Sequence, residues 1–282
     1  MTSPDFVVVG YAVRDLVPGG WRLGGTVTFA AVQAHRLGMS VGVVTSAATD
    51  LDVQAELPFA QVVQAPSPQT TCFENVYHDG HRHQHVRGQA ARIERSAVPD
   101  AWRDAPIVLL GPVFQELEPG FGTVFGAASL VGVSAQGWLR SRDDQDRVRH
   151  TPWNGPPFWT GCDALFVSDE DLADGRDDLS TWTADVPIVA MTESWKGARI
   201  FSEGRWRRMD AFPETEVDPT GAGDTFATGF LIRLHESGSV DEAARFGAAA
   251  ASLSVGGAGA AAIPWRRDVE ARLSEYPEIG LT

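Results

Sequence analysis

The stretch from Val217 to Phe230 reads Val-Asp-Pro-Thr-Gly-Ala-Gly-Asp-Thr-Phe-Ala-Thr-Gly-Phe, and its residue types suit one kind of chemistry. Pro219 and Thr220 end an extended segment, and Gly221, Ala222 and Gly223 are too small to block close approach. From Asp224 a helical apolar pattern begins, carried by Phe226, Phe230, Leu231 and Leu234. A loop opening onto a helix N-terminus presents free backbone N–H groups and the positive end of the helix dipole to an anion. Asp224, in the first turn, cannot itself ligate that anion, because two negative groups repel. The pattern therefore points to N–H groups that hold a phosphoryl group and a carboxylate that takes a proton from an attacking hydroxyl. The same residues also suit an N-capped helix after a glycine turn, with Asp224 merely favouring the dipole.

Asp218-Pro219-Thr220-Gly221-Ala222-Gly223-Asp224-Thr225-Phe226 resembles the C-terminal signature of the ribokinase-like, PfkB-type carbohydrate kinases. The resemblance extends over nearly the whole chain. It implies that Asp224 is the catalytic base, that Gly221, Ala222 and Gly223 form an anion hole, and that Thr220 lies beside the nucleotide. It implies ATP and Mg²⁺ as cofactors. The fold it implies is α/β: a ribokinase-like three-layer α/β/α domain over residues 1–282, with a mostly parallel central sheet. A small, reduced β lid is expected around residues 11–25 and 70–88.

The elements that must position this site are readable in order. Phe6 to Val9 is an apolar run closed by Gly10, the pattern of a buried parallel strand. Asp15 follows in an expected loop, where the family resemblance gives it a substrate-binding role. Next come Gly24-Gly25-Thr26-Val27-Thr28-Phe29 and a helix stopped by Gly38. By resemblance Gly24, Gly25 and Thr28 bind substrate, but Phe29 stands where relatives commonly have Asn, which removes a polar contact and argues against strict ribokinase specificity. Asp15 and Gly24 are only nine positions apart, little room for the lid strands often found there. Val41 to Thr45 and Gln61 to Gln64 read as further strands.

Thr70 to His78 and His81 to Arg87 alternate around Asp79-Gly80, a strong hairpin signal. His81, His83, His85 and Arg87 share one face of the second strand. Neighbouring same-face positions are roughly 7 Å apart, too far for three of them to meet at one ion. A polar lid face, with Arg87 touching substrate, is the preferred reading. Ile107 to Leu110 and Leu130 to Val133 read as strands separated by a helical stretch. The second leads to Ser134-Ala135-Gln136-Gly137-Trp138-Leu139-Arg140, at a strand end where ligands bind in open α/β sheets. This run, the shortened first lid, the Gly-Gly-x-x-Thr-Phe segment and the Asp-Gly hairpin are similar to the branch of the family that includes myo-inositol kinases. Gln136 and Arg140 are accordingly substrate-binding candidates, Arg140 serving equally as a surface arginine.

Residues 141–160 read as an irregular surface connection, charged and then rich in Pro and Trp. Ser168-Asp169-Glu170-Asp171 stands where many relatives have Asn-x-x-Glu, a motif linked to Mg²⁺ and phosphate. That likeness marks Ser168 as a cofactor contact and Asp171 as a metal ligand, while helix capping by Ser168 accounts for the same residues. Thr192-Glu193-Ser194-Trp195-Lys196-Gly197 resembles the family's Thr-x-Gly-x-x-Gly nucleotide loop, with Thr192, Ser194 and Gly197 as its contacts and Ser in place of the middle glycine. Asp241 to Val255 is an Ala-rich helix in which Ala249 and Ser252 could lie under an adenine ring or simply pack in the core. A last helix runs from Arg266 to Leu273.

Composition narrows the classes. With 37 acidic against 23 basic residues and a net charge of -14, a nucleic-acid surface is disfavoured, since phosphate backbones need clustered Lys and Arg. Two cysteines, Cys72 and Cys162, give neither a disulfide framework nor a metal spacing, and the N-terminus lacks a signal-peptide pattern, so a cytoplasmic setting is expected. The uncharged stretch from Phe246 to Ile263 is built from Ala, Gly and Ser and reads as a buried helix followed by a glycine loop, with no membrane span. Lid strands in this family pair between subunits in some members, which leaves a homodimer open.

The expected partners are Mg-ATP and a small sugar or polyol, with a lean towards myo-inositol and with ribose, fructose and nucleosides behind it. Two other classes compete. Gly257-Ala258-Gly259-Ala260-Ala261-Ala262 matches a dinucleotide fingerprint, but only 20 residues remain after it, too few for the helix, strand and acidic residue required. A ligand sensor that has kept the kinase fold is the other, opposed by the intact Asp224.

Overall fold

The computed structural model describes residues 2–78, 81–172 and 179–282. The expected Asp79-Gly80 turn, and the side chains of His81 and His83, lie outside the described residues. The chain opens with β1 (Phe6–Val9) and a hairpin of β2 (Val13–Val17) and β3 (Gly20–Gly24), followed by helix α1 (Thr26–Arg36). Strand β4 (Val41–Ala47), the short α2 (Val53–Glu56) and β5 (Gln61–Pro66) lead to a long hairpin, β6 (Thr71–His78) and β7 (His81–Gly88). Then come β8 (Ile107–Leu110), β9 (Leu130–Ser134) and a small hairpin of β10 (Arg140–Arg142) and β11 (Val148–His150). Strand β12 (Ala164–Ser168), α3 (Leu179–Asp185), β13 (Ile188–Thr192), β14 (Ala198–Ser202) and β15 (Arg205–Met209) follow. Helices α4 (Ala222–Ser237), α5 (Val240–Ser254) and α6 (Arg266–Glu275) complete the chain.

The central sheet has nine strands in the order β15-β14-β13-β12-β9-β8-β1-β4-β5. Its pairs are parallel from β13 to β5, and β14 and β15 add an antiparallel edge. β1 is Phe-Val-Val-Val with every residue buried, because a parallel strand in mid-sheet is covered on both faces. Its side chains alternate between two cores: Phe6 and Val8 face the layer of α1, α4 and α5, while Val7 and Val9 face the other layer. That second layer is built from α3, several 3-10 turns and a plate of aromatics rather than from long helices. The first strands run from β1 outward to β4 and β5, and the later ones from β8 outward to β15, so the order reverses between β1 and β8. In open α/β sheets the crevice beyond the strand C-termini at such a reversal is where ligands bind.

Helix α4 is buried all round from Thr225 to Ile232, held among α1, α5 and the strands β8, β9 and β12. Its crossing with α5 is close because Gly229 meets Gly247, where an added methyl would run into the Phe226 carbonyl at 2.8 Å. A helix clamped on several sides has one position available to its first turn, and that turn carries Asp224.

Three regions differ from expectation. Asp15 lies on a strand rather than in a loop. The short segment from Asp15 to Gly24 suffices for a hairpin, turned at Gly19 with φ 88°, and it joins β6 and β7 in a four-stranded lid of order β3-β2-β6-β7. Between β8 and β9 there is no α-helix, only the 3-10 turn Phe121–Val124, since Pro112, Pro119, Gly120, Gly122 and Gly126 interrupt any helical run. Residues 141–160 are not wholly on the surface. Phe158 is fully buried, stacked on Trp138 at 4.6 Å and edge-on to Trp159 and Trp182. Among the described residues no helix is long and apolar enough to cross a membrane.

Candidate functional site

At the reversal point the backbones after β1 and β8 touch. A methyl on Gly10 would sit 2.2 Å from the Gly111 carbonyl, and one on Gly111 would strike Thr26 at 2.1 Å. Two loops this close leave backbone N–H groups that need a partner away from water, and Glu116 supplies it. Its wholly buried carboxylate accepts from the amides of Tyr11 (2.9 Å), Val113 (2.8 Å) and Phe114 (2.7 Å). Burial pushes this carboxyl above its ordinary pKa, and the three amides act against that. Nothing in the periodicity marks Glu116; its one signal is a lone acid inside Val113-Phe114-Gln115-Glu116-Leu117.

Thr26, the first residue of α1, is held in place by Gly111 and lies near enough to the Asp224 carboxylate for its hydroxyl to favour the ionised form. Thr28, expected to bind substrate, donates its hydroxyl to the Gly24 carbonyl at 2.7 Å, at the end of β3 just ahead of α1.

Asp224 follows Gly221, which caps α4 in the left-handed region at φ 82°. Phe29 packs so tightly on Gly221 that a methyl there would lie 2.1 Å from its ring. Phe29 thus forms the wall under the glycine loop, and Gly221 is required both by its backbone and by that wall. At Gly223 an added methyl would meet nothing within 4 Å, so the cradle of amides is open on that side. Burial pushes the Asp224 carboxyl up to about 6, opposed by the Thr26 hydroxyl and the Arg140 guanidinium and reinforced by the Asp171 carboxylate.

Arg140 and Gln136 reach the site from the strand end after β9. Gly137 lies against Pro112, Trp138 stacks on Phe158 and Leu139 is buried, which leaves the two polar side chains on either side of the turn directed at the site. Gln136 Nε2 donates to Asp171 Oδ1 at 3.3 Å, and His150 Nδ1 lies 4.0 Å from the same oxygen. His150 pairs directly with Arg140 in the β10–β11 hairpin. Sequence reasoning missed His150 because the hairpin was read as irregular surface. Asp171 is only 5% exposed, while Ser168 caps its turn by accepting from the Glu170 amide at 3.3 Å. Among the described residues no three His, Cys, Asp or Glu side chains gather as a metal site.

The lid brings Asp15 to Gly24, whose missing side chain leaves room for the carboxylate: a methyl there would lie 2.0 Å from Asp15 Oδ2. Gly25, with φ 82°, abuts the Tyr11 carbonyl. Arg87 stands apart at the lid edge, exposed and paired with Glu74 at 2.7 Å. It lines a cavity of about 500 Å³ with Gln69, Gln89 and Arg142.

On the other side of the loop, Thr220 donates its amide to Asp218 Oδ1 at 3.0 Å. Thr192 donates to the Val167 carbonyl at 3.4 Å, and Ser194 begins a 3-10 turn at φ 54°, the left-handed position for which glycine is the usual residue. Gly197, at φ 98°, lies against the Met209 carbonyl. Ala249 is wholly buried and the Ser252 hydroxyl is engaged by the Ala249 carbonyl at 2.9 Å, so α5 presents core packing rather than free polar groups at these two positions.

Comparison with known proteins agrees with this fold. Residues 162–266 match the pfkB family carbohydrate kinase model. A cytidine kinase of Thermococcus kodakarensis is 28% identical over 267 residues, 86% of this chain and 93% of that protein. Among solved structures, a pyrophosphate-dependent kinase of the ribokinase family, complexed with a pyrophosphate analog and myo-inositol, superposes with a TM-score of 0.77 at 23% identity, covering 94% of this chain and 99% of the other. A fructokinase with bound ATP from Xylella fastidiosa gives a TM-score of 0.74 at 20% identity, covering 97% and 99%.

Proposed function

Since the chain carries a PfkB family carbohydrate kinase domain on a ribokinase fold, we propose that it transfers the terminal phosphoryl group of ATP to a hydroxyl of a sugar or cyclitol, with myo-inositol as the leading acceptor. The observation that carries this reading is the union, at the sheet's reversal point, of an open glycine cradle on a helix N-terminus with a carboxylate whose pKa lies near 6. Asp224 takes the proton of the acceptor hydroxyl at its carboxylate, which Thr26 orients. The amides of Gly221, Ala222 and Gly223, with the dipole of α4, favour the negative charge that develops on the transferred group. Arg140 adds a fixed positive charge beside Asp224, and Gln136 and Asp15 bind acceptor hydroxyls. ATP would supply the phosphoryl group and Mg²⁺ would supply neutralising charge for it, with the buried Asp171 carboxylate as the side chain that would help to hold the cation. Thr192, Ser194, Gly197 and Thr220 line the donor side.

The likeness to a cytidine kinase along nearly its whole length supports a second reading, with a nucleoside as acceptor. An assay of donor consumption over inositols, pentoses, hexoses and nucleosides, with ATP and with pyrophosphate, separates the two and identifies the donor. Binding without turnover for every pair would mark a sensor. Asp224→Asn should lower kcat by between a hundredfold and ten-thousandfold while leaving ATP affinity nearly intact. The same variant should melt higher than wild type at pH 8 and equally at pH 4. A carboxyl whose pKa is raised by folding contributes stability that is present at low pH and lost as pH rises through about 6, and Asn has no such loss. Near-normal turnover in Asp224→Asn would remove Asp224 from the role of base.

A further inference from the structure

The hairpin of β2 and β3 places two arginines on opposite faces of the lid. Arg14 pairs with Leu23 in the ladder and alternates with Asp15, so it points away from Asp15's side. Its guanidinium is held at both terminal nitrogens: it donates to the Asp50 carboxylate at 2.7 Å and to the Asp50 carbonyl at 2.6 Å, and it lies over the Trp21 ring at 4.9 Å. Arg22 is the direct ladder partner of Asp15, and Gly24 follows two residues on, so all three share the other face. On that face the Asp15 carboxylate lies against Gly24.

Arg22 also lies close enough to Asp218, in the signature loop, for its charge to act there. Burial raises the Asp218 carboxyl, but hydrogen bonds from Thr220 and Gly259 and the Arg22 charge outweigh it and hold the group below its usual range. Yet Arg22 is exposed and, among the described residues, makes no hydrogen bond, ion pair or ring contact. An arginine left unengaged on a strand that faces an anion cradle, in a chain of net charge -14, calls for an anionic partner. The need is local as well. Asp171, Asp218 and Asp224 surround the cradle, Arg140 is the cation on the sheet side, and a phosphate donor adds further negative charge.

We propose that Arg22 is a catalytic residue carried by the lid, its guanidinium pairing with the phosphate oxygens of the donor above the Gly221–Gly223 cradle. This rests on the phosphoryl-transfer reading. A planar, permanently charged fork on a strand suits bidentate contact with phosphate better than a mobile ammonium.

The test is calorimetric binding of a non-hydrolysable ATP analogue, and separately of pyrophosphate, to Arg22→Ala, Arg22→Lys and Arg14→Ala, each checked by its melting curve. Arg22→Ala should weaken both ligands about tenfold or more, Arg22→Lys should recover part of the loss, and Arg14→Ala should bind as wild type does. Unchanged affinity in Arg22→Ala overturns the proposal, as does an equal loss in Arg14→Ala, which would mean that lid packing alone is responsible. If the wild type binds neither ligand, both this inference and the kinase reading fall. Should it bind the analogue but turn over no acceptor, the kinase reading alone fails and an Arg22-dependent affinity stands.

Discussion

A base that takes a proton near neutral pH works best when its own pKa lies close to that pH, and at Asp224 the surroundings bring this about. Burial does most of it, Asp171 adds a like charge, and Thr26 and Arg140 hold the rise to a value of about 6. If Asp224 is the base proposed above, the log of kcat/KM should climb with pH and level off above about 6, since a base acts only when ionised. Asp171→Asn removes a charge that raises the pKa, so the limb should move to lower pH. Arg140→Ala removes a charge that lowers it, so the limb should move to higher pH. Profiles that coincide for all three proteins would mean that another group controls the limb. Thr26 and Thr28 show how fine the residue scale is: one acts on the Asp224 carboxylate, the other bonds back to the Gly24 carbonyl ahead of the helix.

At the scale of elements the site depends on two loops that must stay together. Glu116 ties the segment after β1 to the segment after β8 through three amides, and the Arg140 guanidinium reaches the Val113 carbonyl at 3.5 Å. Glu116→Ala strands those three buried donors, each costing about 1–3 kcal/mol, so the variant should lose at least ~3 kcal/mol of stability in urea denaturation. Glu116→Gln should fall between, because its amide keeps one acceptor oxygen but turns an N–H group towards an N–H donor. A midpoint for Glu116→Ala equal to that of wild type would contradict this role. The aromatic plate serves a similar purpose on the far layer, with Trp138 fixed on Phe158 so that Gln136 and Arg140 flank an immobile turn.

Over the whole molecule, two cores sandwich a nine-stranded sheet, and a separate four-stranded sheet joins the N-terminal hairpin to the long one. The charge of -14 is spread over this body, while arginines at the site supply local positive potential. Self-repulsion of that size is screened within roughly 10 Å at 0.1 M salt. Raising sodium chloride from about 20 to 200 mM should therefore raise the melting temperature, the loss from screened ion pairs being smaller because most are exposed. A melting temperature that falls with salt would show that ion pairs outweigh the repulsion.

Much of this was legible in the sequence. Continuous apolar strands such as Phe-Val-Val-Val, the glycine signature before α4, the Gly-Gly entry to α1 and the Gln-Gly-Trp-Leu-Arg turn declare themselves through local pattern, because burial on both faces and close backbone approach each demand particular residue types. Local pattern could not place Asp15 on a strand, nor show that the segment from Pro112 to Gly126 folds without a helix, nor gather Phe158 and three tryptophans into a core. Nor could it find Thr26, Glu116, His150 and Arg22. Their parts depend on which groups lie opposite them across the sheet reversal and the lid, and those neighbours are remote in the chain. The sequence by itself determined which chemistry the chain is equipped for; the tertiary structure decided which charges stand near the base, because electrostatic coupling follows distance in space and not along the backbone.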